Sequence, residues 1–152
     1  MTYPRTFAGA CKLVATCFGV GYLPVMPGTW ASLAALPVYV VLRDYPAAYA
    51  AVTGLAIVSG FLVAGQAEKA FARRDPGEIV IDEFSAQLAV FLYVRFTVPA
   101  LVAGFLVFRL LDVLKPWPIR KLQDLPGAPG IMLDDVAAAV VSGIVVRLVN
   151  CL

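Results

Sequence analysis

Histidine is absent from the 152 residues of this chain, and its absence excludes a good deal. Histidine-based acid phosphatases, membrane phosphatases with paired catalytic histidines and His-ligated zinc hydrolases are all ruled out. Cysteine is scarce: Cys11, Cys17 and Cys151 form no Cys-x-x-Cys pair. Neither Cys11 nor Cys17 has an arginine at the offset that a cysteine phosphatase needs, so the thiols are expected to be buried and inert. No Asp-x-Asp stretch of the aspartyl-phosphate type occurs either. Acid–base work must therefore fall to carboxylates, lysine, tyrosine or metal-bound water.

Charge is the next scarcity. Charged residues make up 14% of the chain and hydrophobic residues 61%, against about 25% charged in an ordinary soluble domain. So few charged side chains would cover a soluble surface poorly, whereas a lipid-facing surface has no need of them. The net charge of +2 comes without a basic run, which argues against nucleic acid as a partner. Residues 1–10 carry Arg5, but no A-x-A site closes the following stretch, so the first segment reads as retained rather than cleaved. The length predicts a single domain over residues 1–152.

Glycine and proline divide the chain into apolar segments. The run Leu23-Pro24-Val25-Met26-Pro27-Gly28-Thr29 predicts a loop with Thr29 as the cap of a helix from about Trp30 to Leu42. Arg43 to Pro46 reads as a turn. Residues 47–67 are uncharged and long enough for a bilayer, which needs about 20 residues. Asp75-Pro76-Gly77 breaks the chain, and Phe84 to Phe108 follows as two apolar runs separated near Arg95 and Pro99. A loop from Pro126 to Gly130 precedes a last helix, expected from Val136 to about Val149 and opened by Met132-Leu133-Asp134-Asp135.

Topology decides whether the polar segments can meet. If residues 84–108 formed one straight span, Asp82-Glu83 and Asp112 would lie on opposite faces, about 45 Å apart at 1.5 Å per residue. If the chain turns near Arg95 to Pro99, each limb is too short to cross a core of about 30 Å upright, and the pair forms a re-entrant hairpin tolerated only when packed against protein. All polar segments then face one side. Lys69, Arg73, Arg74, Arg109, Lys115, Arg120 and Lys121 gather there, which makes that side cytoplasmic. The expected fold is thus an all-α helical integral membrane bundle of about four membrane segments, one of them the hairpin, with a short N-terminal interfacial helix.

Of the ten acidic residues, seven (Asp75, Glu78, Asp82, Glu83, Asp112, Asp134 and Asp135) concentrate in three segments bordering apolar runs. Carboxylates at a membrane boundary are costly to desolvate and tend to be functional or paired. Oxygen-only ligation suits magnesium, held by a few carboxylates, water and a substrate phosphate. Plainer roles compete: Asp134 as a helix cap, Asp75 as a turn residue, Asp82-Glu83 as first-turn acids favoured by the helix dipole. Asp112 lies one helical turn from both Arg109 and Lys115, as a simple ion-pair ladder would also place it. Thr29 and Ser32 put hydroxyls at a helix start, which either caps the helix or attracts an anion.

Four blocks occur in order: Leu23-Pro24 with Pro27-Gly28-Thr29, then Ile79-Val80-Ile81-Asp82-Glu83, then Arg109, Asp112 and Lys115-Pro116 with Pro118-Ile119, then Gly130-Ile131-Met132-Leu133-Asp134-Asp135. Together they resemble the phosphatidylglycerophosphatase A family over residues of about 20 to 140. The resemblance implies a magnesium-dependent phosphatase of the bacterial cytoplasmic membrane, multi-pass, with its site facing the cytoplasm. Its substrate would be a phospholipid, phosphatidylglycerophosphate, whose terminal phosphate is removed to leave phosphatidylglycerol. Asp82, Glu83, Asp134 and Asp135 become the leading metal ligands. Arg109 and Lys115 would hold the phosphomonoester, with help from Thr29 and Ser32, and Asp112 would position water or bind metal. Direct attack by water and an aspartyl-phosphate intermediate both remain open. The competing functions are a lipid alcohol phosphotransferase, against which the missing D-G-x2-A-R stretch speaks, and a small cation transporter or scaffold, for which acids midway along opposed spans would be expected.

Overall fold

The structure is a computed structural model in which residues 5–150 are described; Cys151, expected to be a buried thiol, lies outside them. It contains seven helices and, among the described residues, no strand: α1 (Arg5–Ala15), α2 (Pro27–Leu42), α3 (Pro46–Phe71), α4 (Ile81–Val90), α5 (Val98–Leu114), α6 (Ile119–Leu122) and α7 (Ala128–Asn150), with a single 3-10 turn at Val20–Tyr22. The short α4 is the central element. It packs against α2, α3, α5 and α7, and most of its residues are buried. Cys11 is buried and Cys17 half-buried.

The chain does double back between α4 and α5. At 1.5 Å per residue, α4 is about 15 Å long and α5 about 25 Å, so neither crosses an apolar core of about 30 Å upright. The turn occupies residues 91–97, a few positions earlier than Arg95 to Pro99. Thr97 explains the shift: its hydroxyl accepts from the Ala100 N–H at 3.2 Å and caps α5, while Pro99 sits in the first turn, where a missing N–H costs nothing.

Side chains from other helices satisfy the carbonyls at this turn. Tyr39 donates its hydroxyl to the Val94 carbonyl at 2.9 Å and Tyr49 to that of Leu88 at 2.6 Å. Asn150 donates to the Arg95 carbonyl at 2.8 Å, and Arg147 to that of Leu92. The Tyr39 ring also stacks on Phe91, with centroids 4.6 Å apart. At Gly143 the α7 backbone approaches so closely that an added Cβ would meet the Val90 carbonyl oxygen at 2.9 Å. Glycine is what lets α7 lie along α4.

Among the described residues, α3 is the one helix long and apolar enough to cross a membrane, at about 39 Å. The expectation of about four membrane segments therefore stands at one by length and composition. Large apolar side chains are nonetheless exposed along other helices: Val98, Val102, Leu106 and Leu110 line one face of α5, and Val141, Ile144, Val145 and Leu148 one face of α7.

Two helix starts differ from the sequence reading. Helix α2 begins at Pro27, with Met26 in the left-handed region (φ 50°) as its boundary residue, so Thr29 lies inside the first turn and caps nothing. Proline's fixed φ suits the first helical position. Helix α7 begins at Ala128, eight residues before Val136. Pro129 and Gly130, which read as loop residues, form its first turn, and Asp134 and Asp135 are interior. Neither can be an N-cap.

Candidate active site

The first turn of α4 carries Asp82 and Glu83. The segment before it is fixed by two close approaches. The Val80 N–H donates to the Ala15 carbonyl at 2.9 Å, and at Gly21 an added Cβ would meet the Glu78 carbonyl oxygen at 1.9 Å. Acids in a first helical turn are favoured by the backbone dipole, but burial works against these two. Asp82 is 8% exposed. Burial first, then the charges of Glu83 and Asp135, push its carboxyl well above the ordinary range. Burial likewise pushes Glu83 up.

Helix α7 brings Asp134 and Asp135 to this point, each 2% exposed. One carboxylate oxygen from each of Asp82, Glu83 and Asp135 lies within 4.8 Å of the others. Asp134 is placed differently. Its Oδ2 is taken by the Lys115 ammonium, so it flanks the three-carboxylate group rather than joining it.

The C-terminus of α5 supplies the cations. Arg109 Nη1 lies 2.8 Å from Asp112 Oδ2, and the Lys115 ammonium 3.5 Å from Asp112 Oδ1. The ladder suggested by the spacing exists, but it is not merely local. Lys115 reaches across to Asp134 and, at 3.9 Å, to Asp135, while Arg109 donates to the Ser32 hydroxyl at 3.4 Å. Burial tends to lower the Lys115 pKa, but the hydrogen bond to Asp134 and the charges of Asp135, Asp134 and Asp112 together hold it above its ordinary value. The ammonium is locked on.

Helix α2 closes the remaining side. Ser32 is fully buried and donates to the Gly28 carbonyl at 3.0 Å. At Gly28 an added Cβ would meet Glu83 Oε1 at 1.9 Å, so the Glu83 carboxylate sits against the start of α2, whose partial positive charge favours it.

Eight of the nine residues given site roles in the sequence thus belong to one assembly drawn from α2, α4, α5 and α7, and the ninth, Thr29, follows Gly28 in the first turn of α2. The buried side-chain polar atoms without a hydrogen-bond partner point to the same place. Among the described residues they are Thr29 Oγ1, Asp82 Oδ1, Glu83 Oε2, Arg109 Nε, Asp134 Oδ1 and Asp135 Oδ2, together with the amide of Gln87. Buried polar atoms are normally paired, and a concentration of acceptors facing two cations suits a divalent ion together with an anion. Sequence reasoning passed over Gln87. It sits inside an apolar run, one helical turn after Glu83, and is fully buried; a lone amide in such a run is the only signal that could have found it. Asp75 and Glu78 stay outside the group, Glu78 being paired with Arg73 at 2.5 Å.

Comparison with known proteins places the chain in a family. The sequence pattern of the phosphatidylglycerophosphatase A family matches residues 13–150. Phosphatidylglycerophosphatase A of Escherichia coli K12 is 38% identical over 137 residues, covering 86% of this chain and 77% of the relative. The protein of the same name from Haemophilus influenzae is 37% identical over 142 residues, covering 88% and 85%. No solved structure matches the chain.

Proposed function

The chain belongs to the phosphatidylglycerophosphatase A family, a family of phosphoric monoester hydrolases, and on that premise we propose that it hydrolyses the terminal phosphomonoester of phosphatidylglycerophosphate at the carboxylate group of α4 and α7, in a magnesium-dependent reaction at the cytoplasmic face of a bacterial membrane. The observation that carries this reading is the convergence of three carboxylates within 4.8 Å beside two cations, each carboxylate keeping one buried oxygen without a hydrogen-bond partner.

Asp82, Glu83 and Asp135 would hold the metal, with Asp134 beside them paired to Lys115. Magnesium would supply neutralisation of charge on the transferring phosphoryl group. The donor set fits it: oxygens only, few enough to leave room for water and substrate. Arg109 and Lys115 are the two positive side chains within reach of the carboxylates, and they are suited to grip the non-bridging phosphate oxygens. Asp112 orients both cations from the rear through its two oxygens. Ser32 holds the Arg109 guanidinium from the side of α2. Thr29, with its hydroxyl unpartnered, is placed to donate to a phosphate oxygen or to the attacking water.

The membrane setting is supported by α3 and by the exposed apolar faces of α5 and α7, which would be costly in water when contiguous. Lys69, Arg73, Arg74, Arg120 and Lys121 flank the site end of the bundle, consistent with a cytoplasmic orientation. The test is phosphate release by purified protein from phosphatidylglycerophosphate, with phosphatidate as the comparison substrate. Activity lost in excess chelator and restored by magnesium more readily than by zinc is the expected result. Full turnover in excess chelator would sink the metal assignment, and no release from either lipid would sink the reading as a whole.

A further inference from the structure

Beside the carboxylate group, on the other side of the first turn of α4, lies an apolar cavity of about 320 Å3. Its walls come from four helices and include Val14, Cys17, Ala34, Ala56, Ile81 and Phe84. Ile81 and Phe84 are three apart on α4 and share a face; between them in sequence are Asp82 and Glu83. One helical turn therefore presents carboxylates to the reacting end of a substrate and an apolar wall to whatever adjoins it.

The cavity offers nothing to a polar occupant. Its one hydroxyl, on Ser59, already donates to the Ala56 carbonyl at 2.8 Å. The Cys17 thiol donates to the Val80 carbonyl at 3.7 Å, and burial followed by the Glu83 charge pushes its pKa up to about 12, so it stays neutral. The loop joining α1 to α2 forms an exposed apolar rim on the same side. Phe18 is 79% exposed, and Val25, Met26 and Trp30 are half or more exposed. This rim runs directly into Gly28, which touches Glu83. An apolar recess and an apolar rim beside a cation-bearing phosphate site match an amphiphile with a phosphomonoester head.

We propose that this cavity seats the first methylenes of one acyl chain of the lipid substrate and so holds its phosphomonoester against the carboxylate group. The inference rests on the proposed reading of the site as a lipid phosphatase. Ligand cavities run from about 300 to 1,000 Å3, so a volume at the lower limit takes part of a single chain, with the second chain left to the surrounding lipid. Each methylene transferred from water into such a recess strengthens binding about fourfold.

Two measurements test it. The first is a series of phosphatidylglycerophosphates with increasing acyl length, assayed as monomers below micelle formation. In the unmodified protein KM falls about fourfold per methylene over the first few carbons and then levels off, and in Ala34→Phe, where the ring occupies the cavity, the dependence on length is flattened. An unchanged slope in Ala34→Phe overturns the inference while leaving the phosphatase reading intact. The second uses the unmodified protein and a lipid carrying a photoactivatable group near the carbonyl end of one chain, so it does not depend on the variant folding. Cross-links are expected at residues 14–18 and 81–84. Cross-links confined to the outer faces of α5 and α7 overturn the proposal. If no member of the series is hydrolysed, it is the phosphatase reading that fails, and the cross-linking pattern still decides what occupies the cavity.

Discussion

Replacing Asp135 by asparagine should damage function and improve stability at once. Its carboxylate lies within 4.8 Å of those of Asp82 and Glu83 and 3.9 Å from the Lys115 ammonium. At an effective dielectric of ~20, each repulsion costs about 3.5 kcal/mol and the attraction returns about 4 kcal/mol. Asp112 and Asp134 add further repulsion, so repulsion outweighs attraction, and screening together with protons retained by the buried cluster reduces the net to about 1 kcal/mol. For a chain of this length ~1 kcal/mol corresponds to roughly 2–4 °C in Tm. Asp135→Asn should therefore melt a few degrees above the unmodified protein in excess chelator. Neutralisation of transition-state charge by metal is worth several kcal/mol, and ~1.4 kcal/mol is tenfold in rate, so turnover should fall at least about a hundredfold at saturating magnesium. Asp134→Asn provides the contrast. It removes the negative charge opposite Lys115, so its Tm should fall in chelator. Asp44→Asn, in the exposed turn before α3, should leave both readouts near wild type. The measurements are thermal unfolding in detergent with chelator and phosphate release with magnesium. A lowered Tm for Asp135→Asn, or turnover within about threefold of normal, would refute the assignment of Asp135 to a mutually repelling, metal-holding group.

Gly28→Ala should keep the fold, because alanine is the better residue in a helix by about 1 kcal/mol, yet cut phosphate release at least about tenfold, since the new Cβ takes the place of Glu83 Oε1; partial recovery in Gly28→Ala with Glu83→Asp would show that the loss is one of room. Arg109→Lys should lower kcat/KM about tenfold or more, because an ammonium cannot hold Asp112 and the Ser32 hydroxyl while also presenting a planar fork to phosphate; near-normal kinetics would remove Arg109 from the substrate grip. In a variant without native cysteines, cysteines placed at Gly77 and Gln123 should label from the same face of the membrane, as the hydrogen bond from Arg74 to the Asp124 carbonyl implies, and one at Tyr93, in the turn after α4, should not label from that face. Labelling of 77 and 123 from opposite faces would separate segments that the site requires together.

The scarcity of charge is what made the site legible. With so few carboxylates in an apolar chain, each had to be satisfied somewhere, and the short apolar runs around Arg95 and Pro99 left a hairpin as the way to bring Asp82 and Asp112 together. Helix starts were harder to read. Pro129-Gly130 in isolation looks like a loop, and only tertiary packing shows why it is not. At Gly130 an added Cβ would meet the Leu125 carbonyl oxygen at 2.0 Å, so the preceding loop folds back over the first turn of α7 and fixes it as helix. Asp134 and Asp135 then move from the cap into the interior, which removes the capping explanation that the sequence allowed. Gln87 was missed for a different reason: hydrophobic patterning smooths over a single amide. The division of labour between Asp134 and Asp135 was also invisible, because adjacent residues on a helix point about 100° apart and only the position of Lys115 decides which one is neutralised.

The short α4 has a cost that the far end of the molecule must offset. A helix of ten residues leaves its last carbonyls, with those of the turn, without intrahelical partners. The carbonyls of Leu88 and Val94 are buried, and each would cost about 1–3 kcal/mol if unpaired. Tyr39, Tyr49, Arg147 and Asn150 cover those of Val94, Leu88, Leu92 and Arg95 in turn. None of these four side chains is near the carboxylate group, yet they hold the helix whose first turn carries Asp82 and Glu83. The position of the α4 carboxylates is therefore set from both ends of the helix: by Gly28 and Ala15 at its start, and by a polar latch on α2, α3 and α7 at its finish. Loosening that latch should let α4 slide or fray toward the turn and displace Asp82 and Glu83 from Asp135, so that activity is lost through geometry while every catalytic side chain is still present.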